Sequence, residues 1–261
     1  MSDEDISLPE KRVYADATDA TTAFVGTKSG AVRVSVSDDI VGEFSLERTG
    51  EVTDVASADG RLAVGTPEDV LVRADGAFHA TGFGPASAVG YDENGALVAT
   101  GEGRLARYGD GWEPLATIED VRAIDGDMVA AGSGIYTLDG THVGLADARD
   151  VSTTGTPLAA TGSGLYYLAN GWMCALEGAF TVVSSDGERS AAATSDTLYR
   201  KDGLETAWGE TELPVGGRIA ALAYTDNAYA VTGDGVFLVN AGDGWRHRSL
   251  GVPDVTGLAV V

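Results

Sequence analysis

Apolar residues along this chain alternate with polar ones or cluster over four to six positions, and glycine then interrupts them. That pattern predicts short β-strands and contains no convincing amphipathic helix. One such unit recurs. Its clearest copies are Leu97-Val98-Ala99-Thr100-Gly101-Glu102-Gly103, Met128-Val129-Ala130-Ala131-Gly132-Ser133-Gly134, Leu158-Ala159-Ala160-Thr161-Gly162-Ser163-Gly164 and Tyr229-Ala230-Val231-Thr232-Gly233-Asp234-Gly235. Weaker copies run from Ala23, Leu62 and Ala191. Anchored on the last turn residue, the seven copies fall at Gly30, Asp69, Gly103, Gly134, Gly164, Asp196 and Gly235, with spacings of 39, 34, 31, 30, 32 and 39 residues.

Most anchors are followed by a short apolar run, an Asx-Gly pair and a bulky residue. Asp75-Gly76 precedes Phe78, Asp110-Gly111 precedes Trp112, Asn170-Gly171 precedes Trp172 and Asp243-Gly244 precedes Trp245. An Asx-Gly pair between two strand-like runs is a hairpin signal, because the tight turn asks both residues for positive φ. The first copy has Asp38-Asp39 there, which predicts a longer turn. Each repeat is led by a run of small and β-branched residues such as Val52-Thr53-Asp54-Val55-Ala56, giving four strands per repeat. Side chains grow from Ala, Val, Ser and Gly in the first two strands to Trp in the fourth. Wedge-shaped blades radiating from an axis require that taper, so the prediction is an all-β, seven-bladed β-propeller of four-stranded antiparallel blades, with six or eight blades as alternatives. The C-terminal run Asp254–Val261 reads as a first strand without a blade of its own, expected to enter blade one beside Phe24. Residues 12–17 compete for that slot. Residues 1–11 read as an acidic N-terminal segment and residues 12–261 as one propeller domain.

The net charge of −23, from 40 acidic residues against 14 Arg and three Lys, adds a habitat. At molar salt the Debye length shrinks to roughly 3 Å, so a carboxylate-covered surface stays folded and soluble. The same field disfavours phosphate backbones, and nucleic acid is not expected as a ligand. A lone cysteine, Cys174, fits a reducing compartment and suggests a small buried hydrophobe. The acidic start lacks the basic and apolar regions of a signal peptide, which points to a cytoplasmic protein. Residues 151–176 carry no charge, but glycines and Pro157 break them into strand-sized pieces, so no membrane span is expected.

Candidate chemistry is sparse. Trp112, Trp172 and Trp245 share one repeat position and read as packing between blades; Trp208 lies outside that register and is a candidate for a surface contact. Arg73, Arg107 and Arg200 share another register, read as salt bridges to acidic neighbours. The Gly-x-Gly turns lack the third glycine and the following helix of a phosphate loop. Asp92–Gly95 and Asp125–Asp127 lack the ligand spacing of a calcium loop, and three histidines with one cysteine give no zinc pattern. The densest basic cluster is Arg246-His247-Arg248, with Arg246 and Arg248 on one strand face. No catalytic residue, metal ligand or cofactor is assigned.

Acidity, scarce lysine and degenerate Gly-x-Gly blades together resemble the uncharacterised acidic β-propeller proteins of halophilic archaea. The resemblance covers essentially the whole chain and implies a fold and a salt-rich habitat, with no site residue carried over. The expected function is a non-enzymatic interaction module, monomeric alone, that presents loops to a protein partner. The alternative is a small-molecule binder or hydrolase using the axial channel. The turns after the second strand differ from blade to blade, which makes Lys28, Glu68 and Glu102, with Trp208, Arg246 and Arg248, the candidate partner-binding residues.

Overall fold

The computed structural model describes residues 20–261, so the competition of residues 12–17 for the closing slot lies outside the described residues. Twenty-eight strands form seven four-stranded antiparallel sheets. Blade one contains β1 (Thr21–Thr27), β2 (Gly30–Ser37) and β3 (Ile40–Thr49). Blade two is β4 (Asp54–Ala58), β5 (Arg61–Gly65), β6 (Val70–Ala74) and β7 (Ala77–Ala80). Blade three is β8 (Ala88–Tyr91), β9 (Leu97–Gly101), β10 (Arg104–Tyr108) and β11 (Trp112–Thr117). Blade four is β12 (Val121–Asp125), β13 (Met128–Ala131), β14 (Gly134–Thr137) and β15 (His142–Gly144). Blade five is β16 (Ala148–Ser152), β17 (Leu158–Thr161), β18 (Gly164–Leu168) and β19 (Trp172–Glu177). Blade six is β20 (Val182–Ser185), β21 (Arg189–Ala193), β22 (Leu198–Asp202) and β23 (Gly209–Thr211). Blade seven is β24 (Ile219–Tyr224), β25 (Ala228–Thr232), β26 (Val236–Asn240) and β27 (Trp245–Ser249).

The final strand, β28 (Val255–Val260), pairs antiparallel with β1, setting Ala23 opposite Val260 and Val25 opposite Leu258, and so becomes the inner strand of blade one. The ring closes by joining the last blade to the first through the C-terminus. Seven inner strands then surround the axis, each packed on the next, from β28 through β4, β8, β12, β16, β20 and β24 back to β28. Their crowding explains their small residues: a Cβ added to Gly90 of β8 would lie 2.4 Å from the Ile124 carbonyl oxygen of β12.

The cores lie between blades. Val32, Val34 and Val36 of blade one pack with Tyr229, Val231, Phe237 and Val239 of blade seven. Outward from the axis the gap widens and large side chains fill it. Trp172 packs against the blade-four/blade-five core and donates its Nε1–H to the Val143 carbonyl at 3.1 Å. The shared arginine register also forms ion pairs, Arg73 to Glu47 at 3.2 Å and Arg200 to Asp202 at 2.8 Å.

Three expectations change in detail; the first is the Asp38-Asp39 turn, which has two residues rather than more, with Ser37 opposite Ile40. Among the outer Asx-Gly hairpins only Asp75-Gly76 has both residues at positive φ (52° and 77°); in Asp139-Gly140, Asn170-Gly171, Asp202-Gly203 and Asp243-Gly244 the glycine alone does. Those loops are wider than the two-residue turn that imposes positive φ twice. Cys174 is exposed rather than buried: it lies on the outermost strand of blade five, where Met173 and Cys174 are both exposed beside a bulge that leaves Ala175 without a pair.

Candidate functional site

Up-and-down antiparallel blades sort their turns between two ends of the disc. Links between the second and third strands, and links between blades, lie at one end. The outer Asx-Gly hairpins and the links between first and second strands lie at the other.

Four of the seven second-to-third-strand turns have a common frame that sequence reasoning passed over. In blade one the buried Thr27 Oγ1 donates to the Gly30 carbonyl and accepts from the Ser29 and Gly30 N–H groups. Thr66 does the same with Asp69 and Glu68, Thr161 with Gly164 and Ser163, and Thr194 with Thr197 and Asp196. One hydroxyl satisfies the turn, so the tip residues are free of that task. The recurring Thr before the turn glycine was the available signal. Lys28, Glu68 and Glu102 are exposed at three of these tips.

The remaining candidates are elsewhere. Trp208 is half-buried against the core of Phe180, Leu165 and Val183, so it serves packing between blades five and six. Arg246 and Arg248 extend from β27 across the seam between blades seven and one. Arg246 Nε pairs with Asp39 at 2.9 Å, while Arg248 donates to the Val41 and Gly42 carbonyls and stacks on Phe44 at 5.1 Å. The structure brings Lys28, Glu68 and Glu102 to one end of the disc and places these three residues between blades.

The axis is open. A cavity of about 690 Å³ runs between the inner strands, lined by Asp54, Asp125 and Asp150 together with Tyr91, Ser184 and Tyr224. Asp54 accepts its own strand's Val55 N–H at 2.8 Å and the Val89 N–H of the next blade at 3.0 Å. Asp150 repeats this with Val151 at 2.9 Å and Val183 at 2.8 Å. Asp125 accepts both the N–H and the Oγ1–H of Thr153. Each carboxylate therefore ties one blade to its neighbour from inside the ring. Burial pushes Asp54 and Asp150 up from 3.8 to about 7 against the pull of the two N–H groups, and the charges of Asp125 and Asp54 add to the effect at Asp150. Burial raises Asp125 as well. The signal for the first two was an Asp directly before Val in two of the leading runs, Asp54-Val55 and Asp150-Val151. At the rim Arg122 bridges Asp120 at 2.8 Å and Asp147 at 2.7 Å, and Arg149 reaches the same Asp147 at 3.1 Å. Among the described residues, no three His, Cys, Asp or Glu side chains form a metal-holding group.

The fold has many solved counterparts at low identity. The chain is similar to a propeller in the nidogen–laminin complex (10% identity, TM-score 0.60, covering 92% of this chain and 98% of that one). It is also similar to apo AztD from Citrobacter koseri (13%, 0.55, 90% and 83%) and to the computationally designed protein Ika8 (15%, 0.57, 91% and 89%). At these identities the likeness concerns the fold alone. No curated protein sequence matches the chain. A family model described as HVO_0234-like β-propeller, named after a Haloferax volcanii protein, matches residues 7–261. With that match spanning all seven blades and the closing strand, the chain belongs to the HVO_0234-like β-propeller family.

Proposed function

We propose that this propeller is a non-enzymatic interaction module that meets a protein partner with the end of the disc carrying the second-to-third-strand turns. The observation behind this is a Thr frame shared by four blades under tips that differ from blade to blade: Lys28-Ser29, Pro67-Glu68, Gly162-Ser163 and Ser195-Asp196 stand on the same hydrogen-bonding scheme. A fixed frame with variable tips gives a rigid, asymmetric surface, which recognition of one partner requires. The test is affinity capture from a lysate at about 3 M KCl, where the Debye length is a few Å or less, with Lys28, Glu68 and Glu102 all changed to Ala. The partner set should be lost in the triple variant and kept when Asp75, Asp139 and Asp243 at the opposite end are changed to Asn. The reverse result would overturn the assignment.

A second reading rests on the open channel. Its volume falls within the roughly 300–1,000 Å³ typical of small-molecule sites, and its wall is polar where an apolar plug would have favoured the module alone. Against it, both oxygens of Asp54 and of Asp150 are already engaged by backbone N–H groups. A ligand that raises the melting temperature, and loses this effect when Ser184→Phe fills the lumen, would establish this second role.

A further inference from the structure

The outer strand of each blade is the end strand of its sheet, with one row of backbone donors and acceptors facing away from the ring. Proteins protect such edges with proline, charge or short length. Here most edges follow that rule. β11 reads Trp112-Glu113-Pro114-Leu115-Ala116-Thr117, β27 carries Arg246 and Arg248, β3 carries Glu43, Glu47 and Arg48, and β15 and β23 are three residues long.

β19 follows it least: it has no proline, and its one charge, the exposed Glu177, stands at the end of the strand. It has the length of β11, the same burial pattern, and a bulge at the same place: Ala106 faces Pro114 after the bulge in blade three, and Tyr166 faces Cys174 after it in blade five. At the two outward positions where β11 has Glu113-Pro114, β19 has Met173-Cys174. Met173 is 51% exposed. Apart from Glu177, charge is absent around this edge. Residues 151–176 carry none, and both turns of blade five at the hairpin end, Thr153–Pro157 and Ala169–Gly171, are neutral. On the blade-four side the exposed Val143 borders Trp172.

We infer that the β19 edge of blade five is a homodimer interface, formed by antiparallel pairing with β19 of a second copy. Two chains of net charge −23 repel wherever carboxylates meet. Where most of an edge is neutral that repulsion is small, and in a two-fold pairing about Cys174 each Glu177 stands opposite the uncharged Gly171 of the other copy, so no like charges face each other. A strand edge is also self-complementary under a two-fold axis, the commonest symmetry of homo-oligomers, so the second copy brings the matching unprotected edge that a partner of other sequence would have to supply. The contact is a single short strand with a few flanking side chains, below the about 800 Å² per partner of a standard interface, so the dimer is weak and concentration-dependent. This surface lies on the rim and stands apart from the turn-bearing end proposed for the partner, and the two proposals fail independently.

Light scattering coupled to size exclusion in 3 M KCl, from about 10 μM to about 1 mM protein, tests it in the range where weak association shows. The apparent mass should rise toward twice the monomer value. Met173→Glu with Cys174→Pro, which copies the protection of β11, should abolish the rise while leaving the circular-dichroism spectrum and melting temperature unchanged. Should the proline variant melt early, Met173→Glu alone keeps the test. On the unaltered chain, a short bismaleimide should join two copies through Cys174, which lies mid-strand in both. A monomer throughout the range, a dimer that survives Met173→Glu, or no Cys174 cross-link at 1 mM would overturn the proposal.

Discussion

Aspartate does two different jobs in this molecule, one at the axis and one at the rim. Asp54 and Asp150 on the inner strands are enclosed, raised to about 7, and each holds two backbone N–H groups from adjacent blades. Asp39 and Asp202 toward the outside pair with Arg246 and Arg200 at 2.9 and 2.8 Å. The inner ties rely on short-range hydrogen bonds that dissolved salt does not screen. The outer pairs are Coulombic and weaken as ions are added. A chain with this much negative charge thus has inner ties that are indifferent to salt, while its ion pairs, on the outside and, through Arg122 and Arg149, at the channel mouth, are the contacts that salt attenuates.

The largest effect should follow from opening the inner ring. Removing residues 253–261 deletes β28, with its pairing to β1, its packing between β24 and β4, and the hydrogen bond from Ser57 Oγ to the Val260 carbonyl. Blade one would be left with three strands and the ring with a gap. The truncated chain should show no cooperative thermal transition by calorimetry. A transition unchanged from the full chain would mean that the axis does not hold the molecule together as described.

Next come the inner aspartates, with a definite pH sign. Because their folded pKa of about 7 exceeds the ordinary 3.8, the native state binds protons that the unfolded chain releases between those values. Their contribution is fully present below about pH 4 and is lost as pH rises through 7. In 3 M KCl, where surface repulsion is damped, urea unfolding should give lower stability at pH 8 than at pH 5.5. Asp54→Asn and Asp150→Asn should each reduce that slope. Each should also cost about 1–3 kcal/mol at pH 5.5, where one N–H loses its acceptor, and less at pH 8, where the wild type itself bears the cost of a buried charge. A slope untouched by both substitutions would separate these groups from the pH response.

The contrast between axis and rim also marks how far the sequence could be read. Blade number, the four-strand repeat and closure by the C-terminal strand were legible because they depend on a local unit that recurs seven times, an apolar run ending in a turn, reinforced by an Asx-Gly pair in six copies and a tryptophan in three. The arginine register was legible because long cations beside abundant carboxylates have few other partners. Asp54 and Asp150 were not, since an Asp at the start of a small-residue run looks like any solvated turn residue until the neighbouring blade presents Val89 or Val183 to it. The burial expected of Cys174 fails for a related reason: β19 is an outermost strand with a bulge at Ala175, neither of which local spacing reveals. Trp208 reads as out of register in sequence yet is packed, because the blade-six outer loop is long enough to fold it back.

At the scale of the whole molecule, salt should raise stability through the surface. Melting temperature in 3 M KCl should exceed that in 0.1 M KCl by about 10 °C or more, the response of a domain near this size to a few kcal/mol. The inner ties contribute nothing to that difference, so Asp54→Asn should shift both melting curves by similar amounts. Equal melting at the two salt levels would remove both the habitat expectation and the division of labour between axis and rim.

The smallest effect concerns two neighbouring arginines on β27. Arg246 is 54% exposed at its side chain and meets Asp39 through an ion pair of the sort worth about 0–1 kcal/mol in dilute buffer and less when screened. Arg248 crosses the same seam by other means, donating to the Val41 and Gly42 carbonyls of β3 and stacking on Phe44. Hydrogen bonds to neutral carbonyls and contact with a ring persist in concentrated salt, and the ring contact is of the order of 0.5–1 kcal/mol at exposed sites. In 3 M KCl, Arg246→Ala should therefore be nearly silent in urea unfolding while Arg248→Ala costs about 1 kcal/mol. In 0.1 M KCl the gap between them should narrow as the Asp39 pair strengthens. If Arg246→Ala were the more damaging of the two at high salt, Coulombic pairing would be holding the rim under conditions where screening should have removed it, and the separation between a salt-indifferent axis and a salt-attenuated rim would fail at the seam where blade seven meets blade one.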